Sequence, residues 1–509
     1  MNCKRLFHLS FLLFTFATAT AAEYFASPTA VDDESKTCGS VETAGTLTNA
    51  FARATAAEDV VTLLPGTYDM TAFTAAVNTS VVNNKYKSYL LANKAITVRS
   101  QSGDPEDTIL LGGGSSVDGR CFAFNAAATV ESLTISNFYT SGSAAAIYST
   151  TRTLFVTNCL LNGNSSAATP GALYQAKAVG CTFDNNYSAV YGAAGSSCDF
   201  VNCTFPYNWC KGNEYAGKGG VIRSSTAVGC VFNSGYMTTY MNTGVIGSDS
   251  TLSNCVIRNC VKANRGLFLN CTFYDCVFSN NWYTASNGAC GLVNASTVYR
   301  CIFVNNHAKA NYGNCAYGST CYDCQFIGNV CTNTTYYNGG GAGYGGKYYN
   351  CHFIENKTNT YSPTGGALSN PSVVSNCVFV GNVSDCHGGA ISCGGNSPSL
   401  SSAGDYLIID SYFTNNVAGA SGKGGAISGG TVSNCVLYGN SLSGSGSGSG
   451  AGAYCVKIYD SVIEHNTEKN YHFERADARG WRIRWRSIAS SGITAKPVRR
   501  RMRRRRSTR

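Results

Sequence analysis

The 509-residue sequence predicts an all-β fold, a right-handed parallel β-helix of about 13–14 coils closed at its N-terminal end by a capping helix. Three observations predict it. A Cys-x-Phe element returns about every 25 residues, and Gly-Gly-Ala followed by Leu or Ile returns between its copies. Only 13% of the residues are charged while 56 are Gly, a composition that suits turn-rich β structure better than helical domains.

The chain opens with the pattern of a secretory signal, assigned to residues 1–22. Lys4 and Arg5 form a basic start, residues 6–17 are apolar, and Ala19-Thr20-Ala21 has the small residues of a cleavage site. The apolar run is too short to span a bilayer, so the protein is expected to be secreted or displayed at the cell surface. Residues 23–130 form the cap and the first coils. Thr46 is placed to N-cap a helix whose Leu47, Ala50, Phe51 and Ala54 share one face. Residues 59–68 read as a strand and a turn, and 95–100 and 108–113 as further strands.

Residues 131–470 carry the repeat. Its copies include NCLLNGN (158–164), GCTFDNN (180–186), DCVFSNN (275–281), RCIFVNN (300–306), NCVFVGN (376–382) and DSVIEHN (460–466). Strand parity turns Cys377 and Phe379 inward and Val378 and Val380 outward. Asn382, three residues after the Phe, falls where the strand must bend, and Asn at equivalent bends can stack from coil to coil. Gly388-Gly389-Ala390 supplies a tight turn, so that three short strands and three turns close a coil. Asp275, Asp323, Asp410 and Asp460 occupy a bend position and read as turn residues. Sequons occur at Asn164, Asn186, Asn294 and Asn356, as expected by chance in a chain rich in Asn, Ser and Thr, and several of these Asn are expected to be internal ladder residues.

In an exported chain, 25 cysteines point first to disulfides. Stacked coils argue otherwise, because cysteines in register lie ~4.8 Å apart with parallel side chains, too far for a bridge. Cys159, Cys181, Cys203, Cys301, Cys351, Cys377 and Cys435 therefore read as free, buried, small hydrophobes. Cys198, Cys210, Cys386 and Cys393 read as loop residues able to pair. Cys321-Tyr-Asp-Cys324 has no second CxxC to complete a zinc site, and no metal or other cofactor is predicted.

The charge of +10 belongs to one end. Residues 471–509 hold 13 Arg, one Lys, one Glu and one Asp, a net +12, which leaves −2 for the rest. The folded body is thus no nucleic-acid binder, and any membrane association is expected only through export or the basic tail. The tail reads as disordered; a cationic anchor and a change of reading frame are the other two readings.

The paired motifs GGA[ILV] and FxxN resemble the repeats of chlamydial polymorphic outer membrane protein passengers. The cap followed by DVVTLLPGTY (59–68) resembles the start of β-helices of the pectin-lyase-like superfamily. The resemblance covers about residues 40–470. It implies an adhesin-like surface protein on the first side and a polysaccharide-acting enzyme on the second.

The enzymes of that superfamily gather acids and bases on outward strand positions. The same positions here are mostly Thr, Val and Ile, with Asp184, Arg258, His352 and Glu464 in separate coils, so no catalytic residue is assigned. One outward feature stands out. Tyr274, Tyr299, Tyr322 and Tyr349 precede the ladder Cys by two residues in four successive coils, beside Ile302, Val304, Ile327, Ile354, Val378 and Val380. These tyrosines are the expected binding residues, with a glycan or a host or cell-surface protein as partner. The sequence thus reads as a non-catalytic surface binder; a polysaccharide lyase or glycoside hydrolase and a structural surface-layer component are the alternatives.

Overall fold

The computed structural model describes residues 21–31, 33, 35–73, 76–77, 87–211, 219–233, 245–263, 266–285, 291–310, 313–333, 339–360, 364–394, 405–443, 449–467, 477–478 and 484–486. The proposed leader, save Ala21 and Ala22, and most of the basic tail lie outside them. So does most of the Ser-Gly stretch at 443–450.

One coil shows how the sequence makes the fold. The strand Thr297–Tyr299 belongs to a first sheet and Ile302–Val304 to a second. His307–Ala310 belongs to a third and Ala316–Tyr317 to a fourth. The chain then returns to the first sheet at Thr320–Tyr322, one rung on, pairing in parallel and in register with Thr297–Tyr299. Among the described residues the first sheet has 18 strands, the fourth 16, and the third is split into stretches of 4 and 8. A complete coil therefore has four strands, not the three expected; the extra one lies between the Asn bend and the Gly-Gly-Ala turn. The result is a parallel β-solenoid.

Three of the four corners of a coil are built from one left-handed residue followed by one small polar side chain. In this coil Arg300, Asn305 and Gly318 have φ of 51°, 53° and 56°. Asn, Asp and Gly tolerate that region, which explains the recurring Asn-Cys, Asp-Cys and Gly-Asn pairs. Asp275, Asp323 and Asp410 sit at φ of 54°, 55° and 52°, the turn role predicted for them. The residue after the left-handed one points inward and caps the preceding coil. Asn306 accepts from Asn281 N at 3.1 Å and Nδ2 at 2.9 Å, and its own Nδ2 donates to Phe278 O and to Asn329 Oδ1, both at 2.9 Å. The same ladder runs unbroken through Asn329, Asn356, Asn382, Asn416, Asn440 and Asn466.

The cysteine ladder does more than fill space. Cys276 N donates to Cys301 Sγ at 3.3 Å, and Cys301 Sγ donates to Tyr299 O at 3.2 Å. Ser411 and Ser461 stand in the same ladder, Cys377 N donating to Ser411 Oγ and Cys435 N to Ser461 Oγ. The thiol thus acts as a weak hydroxyl at a turn. Cys198 is not a loop residue available for pairing. It begins a second ladder at the corner from the fourth sheet to the first, where its N–H donates to Ser225 Oγ and Ser225 N to Ser250 Oγ, both at 3.2 Å. Cys210 ends the strand Asn208–Cys210 and Cys393 directly follows Ile391–Ser392; both are buried. Of the four only Cys386 lies in a half-buried turn.

Between the ladders the core is a column of rings. Phe278, Phe303, Phe326, Phe353, Phe379 and Phe413 stack with centroids 4.5–4.8 Å apart and planes within 8°. Each buried ring contributes about 1.5–3 kcal/mol of apolar burial, plus about 0.5–1.5 kcal/mol from its stacked neighbour. At the N-terminal end the helix Leu47–Arg53 buries Leu47, Ala50 and Phe51, and Asn49 N donates to Thr46 Oγ1 at 3.3 Å, as the capping pattern predicts. At the other end, Asp477–Ala478 pairs with Lys457–Tyr459 and Arg484–Arg486 with Val462–Glu464, so two pieces of the tail extend the first and second sheets.

Candidate functional site: an outward tyrosine–threonine face

The first sheet turns alternate residues outward, and the register lines them up in two columns. One runs Tyr274, Tyr299, Tyr322, Tyr349; the other runs Thr226, Thr251, Thr272, Thr297, Thr320. The tyrosine column is the one that strand parity predicts. Its rings stack with centroids 5.1, 5.0 and 5.1 Å apart and planes within 5°, 8° and 12°. The threonine column beside it carries no apolar signature and was not singled out in the sequence. Its signal was present all the same, as Thr two residues before each of three tyrosines.

This packing decides what the strip can offer. Inside the stack each ring face is covered by its neighbour, so a sugar cannot lie flat on it; the ring edges and the hydroxyls remain. Among the described residues none of the four hydroxyls has a hydrogen-bond partner, whereas the buried tyrosines Tyr68 and Tyr283 spend theirs on backbone carbonyls. The face therefore presents a line of unclaimed hydroxyls about one strand spacing apart. Its rim is charged: Arg300 Nε and Nη2 reach the two carboxylate oxygens of Asp275 at 2.7 and 2.8 Å. That hydrogen-bonded guanidinium holds the exposed Asp275 carboxyl below its usual range.

The apolar stripe on the second sheet is made of the residues that strand parity predicts. Val304, Ile327, Ile354 and Val380 form one continuous half-buried column. The column beside it alternates, with exposed Gln325 and His352 between Ile302 and Val378.

A second site was not legible in the sequence. Glu23, Thr62, Arg99 and Glu131 line an open cleft of about 340 Å³ at the N-terminal end of the first sheet. Arg99 Nη2 lies 2.9 Å from Glu23 Oε1, and Arg99 Nε donates to Thr62 Oγ1 at 3.2 Å. Glu131 stands directly opposite Arg99 on the next rung. The hydrogen bond from Thr62, then Arg99, lowers the pKa of Glu23. Glu23 is thus a tied anion, and Glu131 is the exposed carboxylate of the cleft. Arg99 and Glu23 are 76 residues apart and outside the repeat, so no spacing announces them.

The Asp385-Cys386-His387 turn holds no catalytic arrangement. His387 Nδ1 accepts from Lys423 N at 3.2 Å, and burial lowers its pKa to about 4. Burial likewise raises the Cys386 thiol. Cys321 and Cys324 are both buried on different inward columns, Cys321 in register with Tyr348 and Cys324 in the thiol ladder. Among the described residues no group of three His, Cys, Asp or Glu is placed to hold a metal.

No protein-family model matches the chain, and no curated protein does. Solved structures similar to it include a rhamnogalacturonan lyase, at 12% identity, 66% of this chain, 82% of that one and a TM-score of 0.25. The pectate lyase Pel9A matches at 12% identity, 67% of this chain, 78% of that one and a TM-score of 0.22. The PL6 family alginate lyase AlyGC matches at 10% identity, 92% of this chain, 98% of that one and a TM-score of 0.28. Scores this low carry nothing about reaction or ligand.

Proposed function

We propose that this is an exported, adhesin-like binding protein whose tyrosine–threonine face docks a glycan chain lying along the solenoid axis. The observation that carries the reading is the line of four tyrosine hydroxyls without protein partners, set beside five threonines on one flat face. Hydroxyls repeating at about one strand spacing suit a ligand that itself repeats hydroxyls, and the ring edges meet its C–H groups. The test is glycan binding by the purified chain and by Tyr299→Ser/Tyr322→Ser. Loss of two central contacts is expected to weaken binding at least about tenfold, or about 1.4 kcal/mol. Unchanged glycan binding overturns the reading, and binding of a host protein by the same face would replace the ligand.

The Glu23–Arg99–Glu131 cleft favours a second reading, a polysaccharide lyase or hydrolase, because a guanidinium beside a carboxylate can hold an acidic sugar next to a base. Unsaturated or reducing products from an acidic polysaccharide, abolished by Glu131→Gln, would put this reading first.

A further inference from the structure

Ala22, the second described residue, meets a buried carboxylate. Asp59 is 2% exposed. Its Oδ1 accepts from Ala22 N at 3.0 Å and its Oδ2 from Ala56 N at 2.8 Å. Among the described residues no Lys, Arg or His forms an ion pair with it; the ion pairs there are Arg99–Glu23, Arg223–Asp249 and Arg300–Asp275. A carboxylate buried against neutral amides alone is held at a cost, which a nearby cation offsets.

Ala22 N is also the nitrogen that a cleavage following Ala19-Thr20-Ala21 would free. Ala21 is exposed, so the bond between Ala21 and Ala22 stands at the surface while Ala22 is half-buried. The residue after the cut is fixed independently of the leader: Val60 N donates to Ala22 O at 2.8 Å, and Glu23–Ala26 pairs in register with Val60–Leu63.

We infer that removal of the leader between Ala21 and Ala22 completes an ion pair between the new Ala22 ammonium and the buried Asp59 carboxylate, so that maturation itself locks the first strand onto the solenoid. In the hydrolysis water adds across the peptide bond. Ala21 leaves as a carboxylate on the leader, and Ala22 nitrogen gains protons to become an ammonium, already 3.0 Å from its counter-ion. A neutral amide donor is thereby replaced by a charge-assisted one. A cut after Ala22, the boundary implied by assigning residues 1–22 to the leader, would discard both the Asp59 contact and the Val60 hydrogen bond, so that boundary moves back by one and Ala22 becomes the first residue.

The first test is the N-terminal sequence of the exported protein, where Ala22 is expected and any other first residue overturns the inference. The second compares melting of the chain beginning at Ala22 with the same chain acetylated at that nitrogen. Acetylation keeps an N–H but removes the charge, and is expected to lower Tm by at least about 2 °C. Equal Tm values overturn the pair. In Asp59→Asn the acetylation difference is expected to vanish, and its persistence would overturn the assignment to Asp59. Should that variant fail to fold, the acetylated wild-type chain alone decides.

Discussion

Asn356 shows how much of the fold rests on single side chains. It is fully buried, donates to Phe326 O at 2.8 Å and to Asn382 Oδ1 at 3.0 Å, and accepts from Asn329 N and Nδ2. Asn356→Ala strands donors and acceptors on both neighbouring coils and is expected to cost about 3 kcal/mol or more, read by denaturant unfolding. For the same reason Asn164, Asn186, Asn294 and Asn356 are not glycan acceptors in the folded chain despite their sequons, since each side chain is inside. The cysteines invite a different comparison. Ser411 and Ser461 already serve in the thiol ladder, so Cys301→Ser is expected to change stability by less than about 1 kcal/mol, while Cys301→Ala leaves Cys276 N without its acceptor and costs more. His387 sets a pH dependence. Its folded pKa of about 4 lies below the ordinary 6.5, so its contribution is complete above pH 6.5 and is lost as pH falls through about 4. Allowing for partial solvent screening, the loss is about 1–2 kcal/mol. His387→Asn, which keeps an acceptor for Lys423 N, is expected to flatten that slope in melts taken from pH 7 to 4.

At the scale of the element, what was readable in the sequence follows the strand period. Alternation sent Cys377 and Phe379 inward and Tyr274 through Tyr349 outward without any tertiary information, because a side chain in a strand has only two directions. The corners were half legible. The Asn ladder shows as a recurring offset from the inward Phe, whereas the second ladder hides because Cys198, Ser225, Ser250, Cys271 and Ser296 divide one role between two residue types. The third sheet was missed since its strands are short and their alternation, as in His307–Ala310, places small Ala inside where the other strands place Phe or Cys. The Arg99 cleft was invisible for another reason: its residues meet only through the winding of the first coils. The tyrosine strip separates stability from binding. Exposed cross-strand pairs contribute only about 0.2–1 kcal/mol each, so Tyr299→Ser/Tyr322→Ser is expected to keep the fold by circular dichroism while losing the ligand.

Taken whole, the molecule is a stack in which each coil touches chiefly the one before and the one after, so its stability is close to a sum of coils and interfaces. That arrangement makes removal of one complete unit a sharp test. Deleting residues 276–300 joins Asp275 to Cys301, leaving the same Asp-Cys corner that the chain uses at 275–276. Cys301 then succeeds Cys255 in the thiol ladder, Phe303 follows Ile257 in the core column, and Asn306 takes the place of Asn281 at the bend. Every ladder stays in register, so the shortened chain is expected to fold, to be about 4.8 Å shorter along its axis by small-angle scattering, and to unfold with a modestly lower midpoint. Deleting residues 288–300 instead removes about half a turn, which runs the third-sheet strand Trp282–Ala285 straight into second-sheet residues where the fourth sheet should follow, and breaks all three ladders at once; loss of cooperative unfolding is expected. Equal tolerance of both deletions would refute register as the organising constraint. The full-coil deletion also removes Tyr299 and leaves Tyr322 to stack on Tyr274, so the face keeps three of its four tyrosines. Weakened but retained glycan binding by that chain would tie the ligand to the length of the face rather than to any one residue in it.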